Sequence, residues 1–205
     1  MQTFFTSDYH LGHKNILKYC GRILFMTKED KEIYNNLAYD KQDRFILSDE
    51  SLDNMNKGII TRHNERVKKE DTCFHIGDFC FKGANDRGNG QNIKPDYWLS
   101  QLKGNIILLK GNHDERNNVK TKIESIIIKI GKQYIELVHD SEHISGRTEI
   151  ALVGHVHNSW QIKRIRMGNS FTDCVNVGVD VFDFKPVTWE EILKRLYQWR
   201  KKEQL

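Results

Sequence analysis

The chain has 205 residues, a hydrophobic fraction of 38% and a net charge of +4, which together predict one soluble globular domain over residues 1–205. No apolar run reaches the roughly 18 to 20 residues that span a bilayer, and the N-terminus lacks the basic and apolar regions of a signal peptide. We therefore expect a cytoplasmic protein with no membrane partner. The four cysteines form no CxxC pair, which disfavours a zinc finger or a disulfide framework.

Three segments carry helix signals, taken in chain order. The first follows the candidate N-cap Ser48 and repeats with a helical period at Leu52, Met55, Ile59, His63 and Val67. The second, "PDYWLSQLKG", opens with Pro95 and closes with Gly104, the usual asymmetry of a helix. The third begins with the capping box formed by Thr188 and Glu191 and is predicted to continue to residue 202.

Strand signals are more informative, because five short apolar runs each lead into a polar residue. The runs are "TFFTS" before Asp8, "CFHIG" before Asp78, "IILLKG" before Asn112, "YIELV" before His139 and "ALVG" before His155. A turn at residues 131–132 predicts a hairpin, and alternating valines predict a strand over residues 175–181. Residues 82–95 and 141–149 are predicted loops. Helical segments between strands favour an α/β layered fold with the polar residues at one sheet edge.

The polar residues after these strands form a set with metal-binding chemistry. Imidazole, carboxylate and amide groups together suit Mn²⁺, Fe or Zn²⁺ more than Ca²⁺. If the strand geometry persists, Asp8-x-His10 and His155-x-His157 each present two side chains on one face. Any one of these residues alone is more often a turn residue or a satisfied histidine, but their joint occurrence indicates function. Two cations sharing one carboxylate would use the whole set: Asp8, His10, Asp78, Asn112, His139, His155 and His157.

The ordered motifs "SDYH", "GD", "GNHD", a lone His139 and "GHVH" resemble those of the calcineurin-like metallophosphoesterase superfamily. The resemblance runs from Asp8 to His157, and "TSDYHLGHKNI" and "NVGVDVF" further resemble small, single-domain bacterial and phage members. It implies a four-layer αββα sandwich, two mixed β-sheets flanked by helices, around a dinuclear centre. It implies one divalent cation at Asp8, His10, Asp78 and His157, and a second at Asp78, Asn112, His139 and His155.

In this scheme Asp78 bridges the two cations, for which Mn²⁺ is the first expectation and Fe, Zn²⁺ or Ni²⁺ are alternatives. The cations activate a hydroxide that attacks phosphorus, and His113 assists the leaving group as an acid. Asp114 either orients His113 or caps a helix. Substrate contacts are predicted at His13, Asn15, Arg22, Asp114 and Arg116, with Lys82 and Arg147 as further phosphate clamps.

The expected function is therefore hydrolysis of phosphodiesters or phosphomonoesters, with a nucleotide-like natural substrate. A protein phosphatase is disfavoured, because "GDFCFKG" lacks the aspartate and arginine of the GD-x-x-DRG motif found in those enzymes. A nuclease acting on DNA or RNA with the same two cations is one alternative, and a metal-free scaffold of the same fold is another. Whether the chain is a monomer or a small homo-oligomer stays open.

Overall fold

The computed structural model describes residues 1–82 and 93–204, so most of the loop predicted at residues 82–95 lies outside the described residues. The first three strands of the chain pair in parallel, and the short last strand of the chain pairs antiparallel to the first. They form a four-stranded sheet in the order β3-β2-β1-β9. Its strands are β1 (Thr3–Thr6), β2 (Thr72–Ile76), β3 (Asn105–Leu109) and β9 (Val187–Thr188).

A second, five-stranded sheet has the order β4-β5-β6-β8-β7. Its three central strands are parallel, and an antiparallel strand flanks them on each side. Its strands are β4 (Ser125–Ile130), β5 (Gln133–Val138), β6 (Ile150–Val153), β7 (Ile162–Met167) and β8 (Ser170–Asn176). The predicted hairpin is confirmed, since β4 and β5 pair from Ile130 and Gln133 outward.

The described α-helices are α1 (Ile16–Tyr19), α2 (Lys28–Asn36), α3 (Tyr39–Gln42), α4 (Asp49–Arg66), α5 (Pro95–Leu99) and α6 (Trp189–Lys202). The three predicted helices are α4, α5 and α6, although α5 ends at Leu99, short of the end predicted at Gly104. The Ser48 side chain caps α4, and both capping-box hydrogen bonds of Thr188 and Glu191 form at α6. Of the helices in the described ranges, none is long and apolar enough to cross a membrane.

The two sheets pack face to face through alternate residues of their strands. Phe5, Ile76 and Leu109 of the four-stranded sheet share one buried cluster with Leu137 and Leu152 of the five-stranded sheet. On the other face of the four-stranded sheet, Phe4 and Cys73 pack against Val67, which follows α4. The predicted architecture of two mixed sheets flanked by helices is confirmed.

The predicted strand over residues 175–181 is only partly correct. β8 ends at Asn176, and Val179–Val181 form a short 3₁₀ turn. The buried Asn176 side chain accepts a hydrogen bond from the backbone N–H of Gly178 at 2.8 Å, which turns the chain out of the sheet. Alternating valines fit this turn as well as a strand, so the sequence pattern did not separate them.

Candidate metal centre

The structure brings the seven predicted ligands together at one edge of the two sheets. Asp8, Asp78 and Asn112 follow β1, β2 and β3, while His139 and His155 follow β5 and β6. The carboxyl ends of parallel strands meet at the same edge, and loops there are free to carry chemically active residues. Residues as far apart in sequence as Asp8 and His155 are therefore neighbours, with the His155 backbone N–H donating to the Asp8 carboxylate at 3.1 Å.

Asp78 lies between the two predicted ligand sets. Its Oδ2 atom is 3.6 Å from His10 Nε2 and 3.4 Å from His139 Nε2. Its Oδ1 atom accepts a hydrogen bond from the backbone N–H of His113 at 2.9 Å, which fixes the carboxylate plane. His10 Nε2 is also 3.8 Å from Asp8 Oδ1. Asp78 therefore has the position that a carboxylate shared by two cations would need.

Asn112 lies between His139 and His155. Its side-chain oxygen is 3.1 Å from His139 Nε2 and 3.1 Å from His155 Nδ1. On the opposite side of Asp78, the rings of His10 and His157 are 5.0 Å apart, measured between centroids. The seven side chains thus form one continuous cluster with Asp78 at its middle.

The donor atoms of this cluster fit a divalent cation. His10 is buried, yet neither of its ring nitrogens has a hydrogen-bond partner, which would be costly without a ligand. The Nδ1 atom of His139 lies 2.8 Å from the carbonyl oxygen of Ile76, so Nε2 is directed toward Asp78. Metal-bound histidines are typically oriented by such a bond from the other ring nitrogen. Donor atoms of Asp8, His10 and His157 lie within 4.8 Å of one another, as do those of Asp8, Asp78 and His139.

The carboxylates of the cluster attract positive charge. Burial raises the pKa of Asp8, but the neighbouring imidazoles of His10, His139 and His157 outweigh it and hold this pKa below its usual value. Burial lowers the pKa of His139, yet the hydrogen bond with Asp78 and the charge of Asp8 raise it to about 9. Without a cation, the chain therefore keeps a proton on this imidazole in order to balance its buried carboxylates.

Five of the seven predicted ligands have a left-handed backbone conformation, which residues other than glycine rarely adopt. Their φ angles are +59° at Asp8, +52° at His10, +55° at Asp78, +69° at His155 and +47° at His157. Such strain concentrates at functional sites, where the surrounding structure holds it in place. The expectation that Asp-x-His and His-x-His lie on strands is wrong, because both pairs sit in left-handed turns beyond the strand ends.

Asp180 is a buried residue of this site that sequence reasoning missed. Its Oδ2 atom lies 2.8 Å from His157 Nδ1, leaving His157 Nε2 to face the cluster. That hydrogen bond and the neighbouring charges overcome the effect of burial and raise the pKa of His157 to about 10. The signal was present in "NVGVDVF", where one carboxylate interrupts an apolar run.

Arg22 does not contact substrate, and the prediction that it does is wrong. Its side chain is fully buried and forms a two-point ion pair with Asp180, with donor–acceptor distances of 2.7 and 3.0 Å. Its remaining donors bond the carbonyl oxygens of Asp8 and Tyr9. Arg22 therefore stabilises the site without lining it, by holding Asp180 and the turn at Asp8 in place.

The prediction that Asp114 contacts substrate, orients the His113 ring or caps a helix is also wrong. Asp114 is fully buried, and residues 112–118 form turns instead of a helix. Its carboxylate accepts hydrogen bonds from the backbone N–H groups of Asp78, Phe79 and Gly111, at 2.9, 2.9 and 2.7 Å. Asp114 thus ties the turn that carries Asp78 to the turn that carries Asn112.

The other predicted substrate contacts lie at or beyond the edge of the cluster. The half-buried His113 ring is 5.9 Å from the His10 ring and 5.1 Å from the Phe81 ring. His13 stacks on the same Phe81 ring at 3.9 Å. Asn15 occupies the N-cap position of α1, without a capping hydrogen bond from its side chain. Arg116 is exposed.

Comparison with known proteins gives relatives of the same fold. No family model matches the sequence. The uncharacterized protein MJ1445 of Methanocaldococcus jannaschii is 24% identical over 193 residues, covering 93% of this chain and 89% of that protein. The structure of AQ665 from Aquifex aeolicus, a protein of unknown function, matches with a TM-score of 0.57 and 22% identity, over 94% of this chain and 98% of that one.

Another structure that the chain resembles is YfcE, a phosphoesterase from E. coli, with a TM-score of 0.39 and 17% identity, over 86% of this chain and 78% of that one. The match to AQ665 shows that the chain shares the fold of that protein, and this fold has the predicted two mixed sheets flanked by helices. Clustered Asp and His side chains suited to divalent-metal binding lie at the edge of the sheets.

Proposed function

We propose that the protein is a metal-dependent phosphoesterase that hydrolyses phosphodiester or phosphomonoester bonds of nucleotide-like compounds. One observation carries the proposal: seven nitrogen- and oxygen-donating side chains from five strand ends converge, with Asp78 Oδ2 between His10 and His139 at 3.6 and 3.4 Å.

Two cations would divide this cluster between them. Asp8, His10, Asp78 and His157 would hold one, while Asp78, Asn112, His139 and His155 would hold the other. The mixture of imidazole and carboxylate makes Mn²⁺ our first choice, ahead of Fe, Zn²⁺ and Ni²⁺. When bound, such cations neutralise phosphate oxygens and lower the pKa of a coordinated water.

His113 would supply a proton to the leaving group. Its backbone N–H is bonded to Asp78, so its ring is held at the edge of the cluster, facing His10 and Phe81. An imidazolium there would transfer its proton to the leaving alkoxide oxygen as the bond to phosphorus breaks. Alkoxides are poor leaving groups that need such a proton, and for this reason we favour phosphodiesters of alkyl alcohols as the natural substrates.

A direct test uses the purified protein with MnCl₂ and two chromogenic esters, bis-p-nitrophenyl phosphate and p-nitrophenyl phosphate. We expect hydrolysis of the diester, and we expect it to be lost on chelation and in Asp78→Asn. Hydrolysis of neither ester would overturn the proposal. Metal analysis of the purified protein then addresses the scaffold alternative, which predicts a metal content near zero.

The role of His113 has its own test. We expect His113→Asn to lower kcat by roughly 10²- to 10⁴-fold for a diester with an alkyl leaving group. The effect should be much smaller for p-nitrophenolate, which leaves without a proton, and the metal content should be unchanged. His143→Asn, at an exposed histidine outside the cluster, serves as the control. A loss of bound metal in His113→Asn would instead identify His113 as a ligand.

One feature favours a nuclease as the second candidate. A cleft of about 830 Å³ adjoins the turn that carries Asn112 and is lined by five lysines, Lys82, Lys94, Lys110, Lys120 and Lys122. Lys110 is paired with Glu115 at 3.0 Å, and we choose Lys120 and Lys122, two residues apart in the chain, from the other four to test phosphate contacts. A nuclease would shorten labelled oligonucleotides and bind them with a steep salt dependence, which Lys120→Glu with Lys122→Glu would reduce.

A further inference from the structure

A second cleft opens directly beside the cluster of candidate metal ligands, next to His155. Its volume is about 450 Å³, within the range of small-molecule sites. Its apolar lining residues are Ile144, Val156, Trp160, Ile165 and Met167, and its acidic lining residues are Asp140 and Glu142. We call this the Trp160 cleft. His155 belongs both to its lining and to the predicted ligand set, so the cleft is continuous with the proposed site.

Hydrogen bonds from buried polar side chains fix the backbone at and beside the lining residues of the Trp160 cleft. Asn176 is fully buried, and its amide donates to the carbonyl oxygens of His157 and Trp160 at 2.6 and 2.8 Å. The buried Glu136 carboxylate accepts hydrogen bonds from the backbone N–H and the hydroxyl of Ser145, which follows the lining residue Ile144. The cleft is therefore preformed, which lowers the entropic cost of binding a ligand there.

The lining selects a flat ring with N–H donors. Trp160, Ile165 and Met167 offer an indole face, a branched aliphatic group and a polarisable sulfur, and each of these packs well against a ring. The carboxylates of Asp140 and Glu142 accept hydrogen bonds from ring N–H and exocyclic amino groups. The lining thus has two carboxylates and one lysine, Lys163, so further phosphates are disfavoured in it.

We propose that the Trp160 cleft binds the nucleobase of a nucleoside that stays attached to phosphorus during the reaction. This inference rests on the proposed phosphoesterase function. His113, the proposed acid for the leaving group, lies beside Phe81 and His10, a predicted ligand of one cation, whereas the cleft is lined by Asp140 and His155, a predicted ligand of the other cation. The group that enters the cleft is therefore the one that does not leave. The substrate class is a small nucleoside phosphodiester.

The test compares two diesters that share the p-nitrophenyl leaving group, p-nitrophenyl thymidine 5′-phosphate and methyl p-nitrophenyl phosphate. We expect the Mn²⁺-loaded protein to prefer the nucleoside ester. Trp160→Ala should lower kcat/KM for the nucleoside ester about 10-fold or more by raising KM, as expected for loss of one base-stacking contact. The kcat/KM for the methyl ester should change by no more than about twofold. Trp160→Phe should retain most of the preference. Tyr134→Ala, at an exposed aromatic outside the cleft, is the matched control.

A binding measurement separates the cleft from catalysis. By calorimetry, we expect thymidine 5′-monophosphate to bind more tightly than inorganic phosphate, and we expect Trp160→Ala to remove the difference. Equal kcat/KM for the two esters in the unmodified protein, or an unchanged ratio in Trp160→Ala, would overturn the inference. If Trp160→Ala is misfolded, Trp160→Leu replaces it, because leucine keeps an apolar side chain there without an aromatic ring, and an unchanged ratio in Trp160→Leu would overturn the inference. If the unmodified protein also hydrolyses neither bis-p-nitrophenyl phosphate nor p-nitrophenyl phosphate, the proposed function fails, and calorimetry still tests the cleft.

Discussion

At the scale of single residues, the fully buried Arg22 and the Asp180 carboxylate determine how His157 faces the cluster. Arg22 is separated from Asp180 by 158 residues of sequence, yet the two form a two-point ion pair inside the protein. Such a pair holds its partners in one geometry, and breaking it leaves a buried charge unsatisfied. The orientation of a candidate metal ligand thus depends on residues that touch neither metal nor substrate.

We expect Asp180→Asn to weaken Mn²⁺ binding by roughly 10- to 100-fold, the usual effect of removing a carboxylate behind a metal-bound histidine. The same change should lower the melting temperature, because Arg22 stays buried without a counter-charge. Calorimetric Mn²⁺ titration and thermal melting measure the two effects. Asp183→Asn is the control, since Asp183 is an exposed carboxylate paired with Lys185. Equal Mn²⁺ affinity in both variants would show that Asp180 does not orient His157.

His63, which lies outside the cluster of candidate metal ligands, makes the stability of the fold depend on pH. Its Nδ1 lies 2.7 Å from the Tyr9 hydroxyl and its Nε2 lies 2.9 Å from the Lys103 carbonyl oxygen. Burial lowers its pKa to about 4, from an ordinary value of 6.5. The unfolded chain therefore takes up a proton on this ring more readily than the folded chain. The resulting stability is complete above pH 6.5 and is lost as the pH falls toward 4.

The corresponding measurement is the free energy of unfolding by urea between pH 7 and pH 4. We expect His63→Gln to be less stable at pH 7 and to lose less stability on acidification than the unmodified protein. His143→Gln, at an exposed histidine, should keep the original pH dependence. The same slope in His63→Gln as in the unmodified protein would contradict this account.

At the scale of elements, the turns that leave the strands decide where the ligands point. Gly77 lies between β2 and Asp78 with φ +86°, and a Cβ atom there would come within 2.5 Å of His139 Nδ1 and 2.7 Å of Gly111 Cα. The position therefore needs both a left-handed backbone and the absence of a side chain. It lets the turns that carry Asp78 and Asn112 pack against His139.

Gly77→Ala should consequently destabilise the protein by more than the roughly 1 kcal/mol typical of alanine at a positive φ. It should also weaken Mn²⁺ binding, because His139 has to move. Gly131→Ala is matched to it, since Gly131 has φ +59° in the β4–β5 turn and a Cβ atom added there would meet nothing within 4 Å. Urea denaturation and metal titration of both variants test the difference. Similar losses in both would show that the contact with His139 is unimportant.

At the scale of the whole molecule, the cluster joins the two sheets. Asp8, Asp78 and Asn112 follow strands of the four-stranded sheet, whereas His139 and His155 follow strands of the five-stranded sheet. A cation held by both groups would bind the folded chain and not the unfolded one. Binding of that kind stabilises the fold by mass action.

We therefore expect Mn²⁺ to raise the melting temperature, with a stabilisation of about 2.7 kcal/mol at a concentration of 100 times Kd. Chelation should reverse the shift. Asp78→Asn should lose most of it, while Asp40→Asn, at an exposed carboxylate in α3, should retain it. A melting temperature that is insensitive to Mn²⁺ in the unmodified protein would contradict a cation site between the sheets. Differential scanning calorimetry provides the measurement.

The sequence by itself determined the features that depend on neighbouring residues. The capping box at Thr188, the N-cap at Ser48 and the β4–β5 turn are local patterns, so they predicted helix and hairpin boundaries well. The placement of polar residues after apolar runs predicted that the seven ligand candidates would converge, because the strand ends of parallel sheets share an edge. A resemblance of ordered motifs then indicated the fold.

Only the tertiary structure decided the roles that depend on distant contacts. The sequence suggested substrate contacts for Arg22 and Asp114, with Asp114 alternatively orienting His113 or capping a helix, but packing buries both and directs them at Asp180 and at backbone N–H groups. The left-handed turns at the ligands, and the end of β8 at Asn176, likewise follow from hydrogen bonds and close approaches made across the fold. A sequence pattern reports local preference, whereas these conformations persist because long-range packing outweighs that preference.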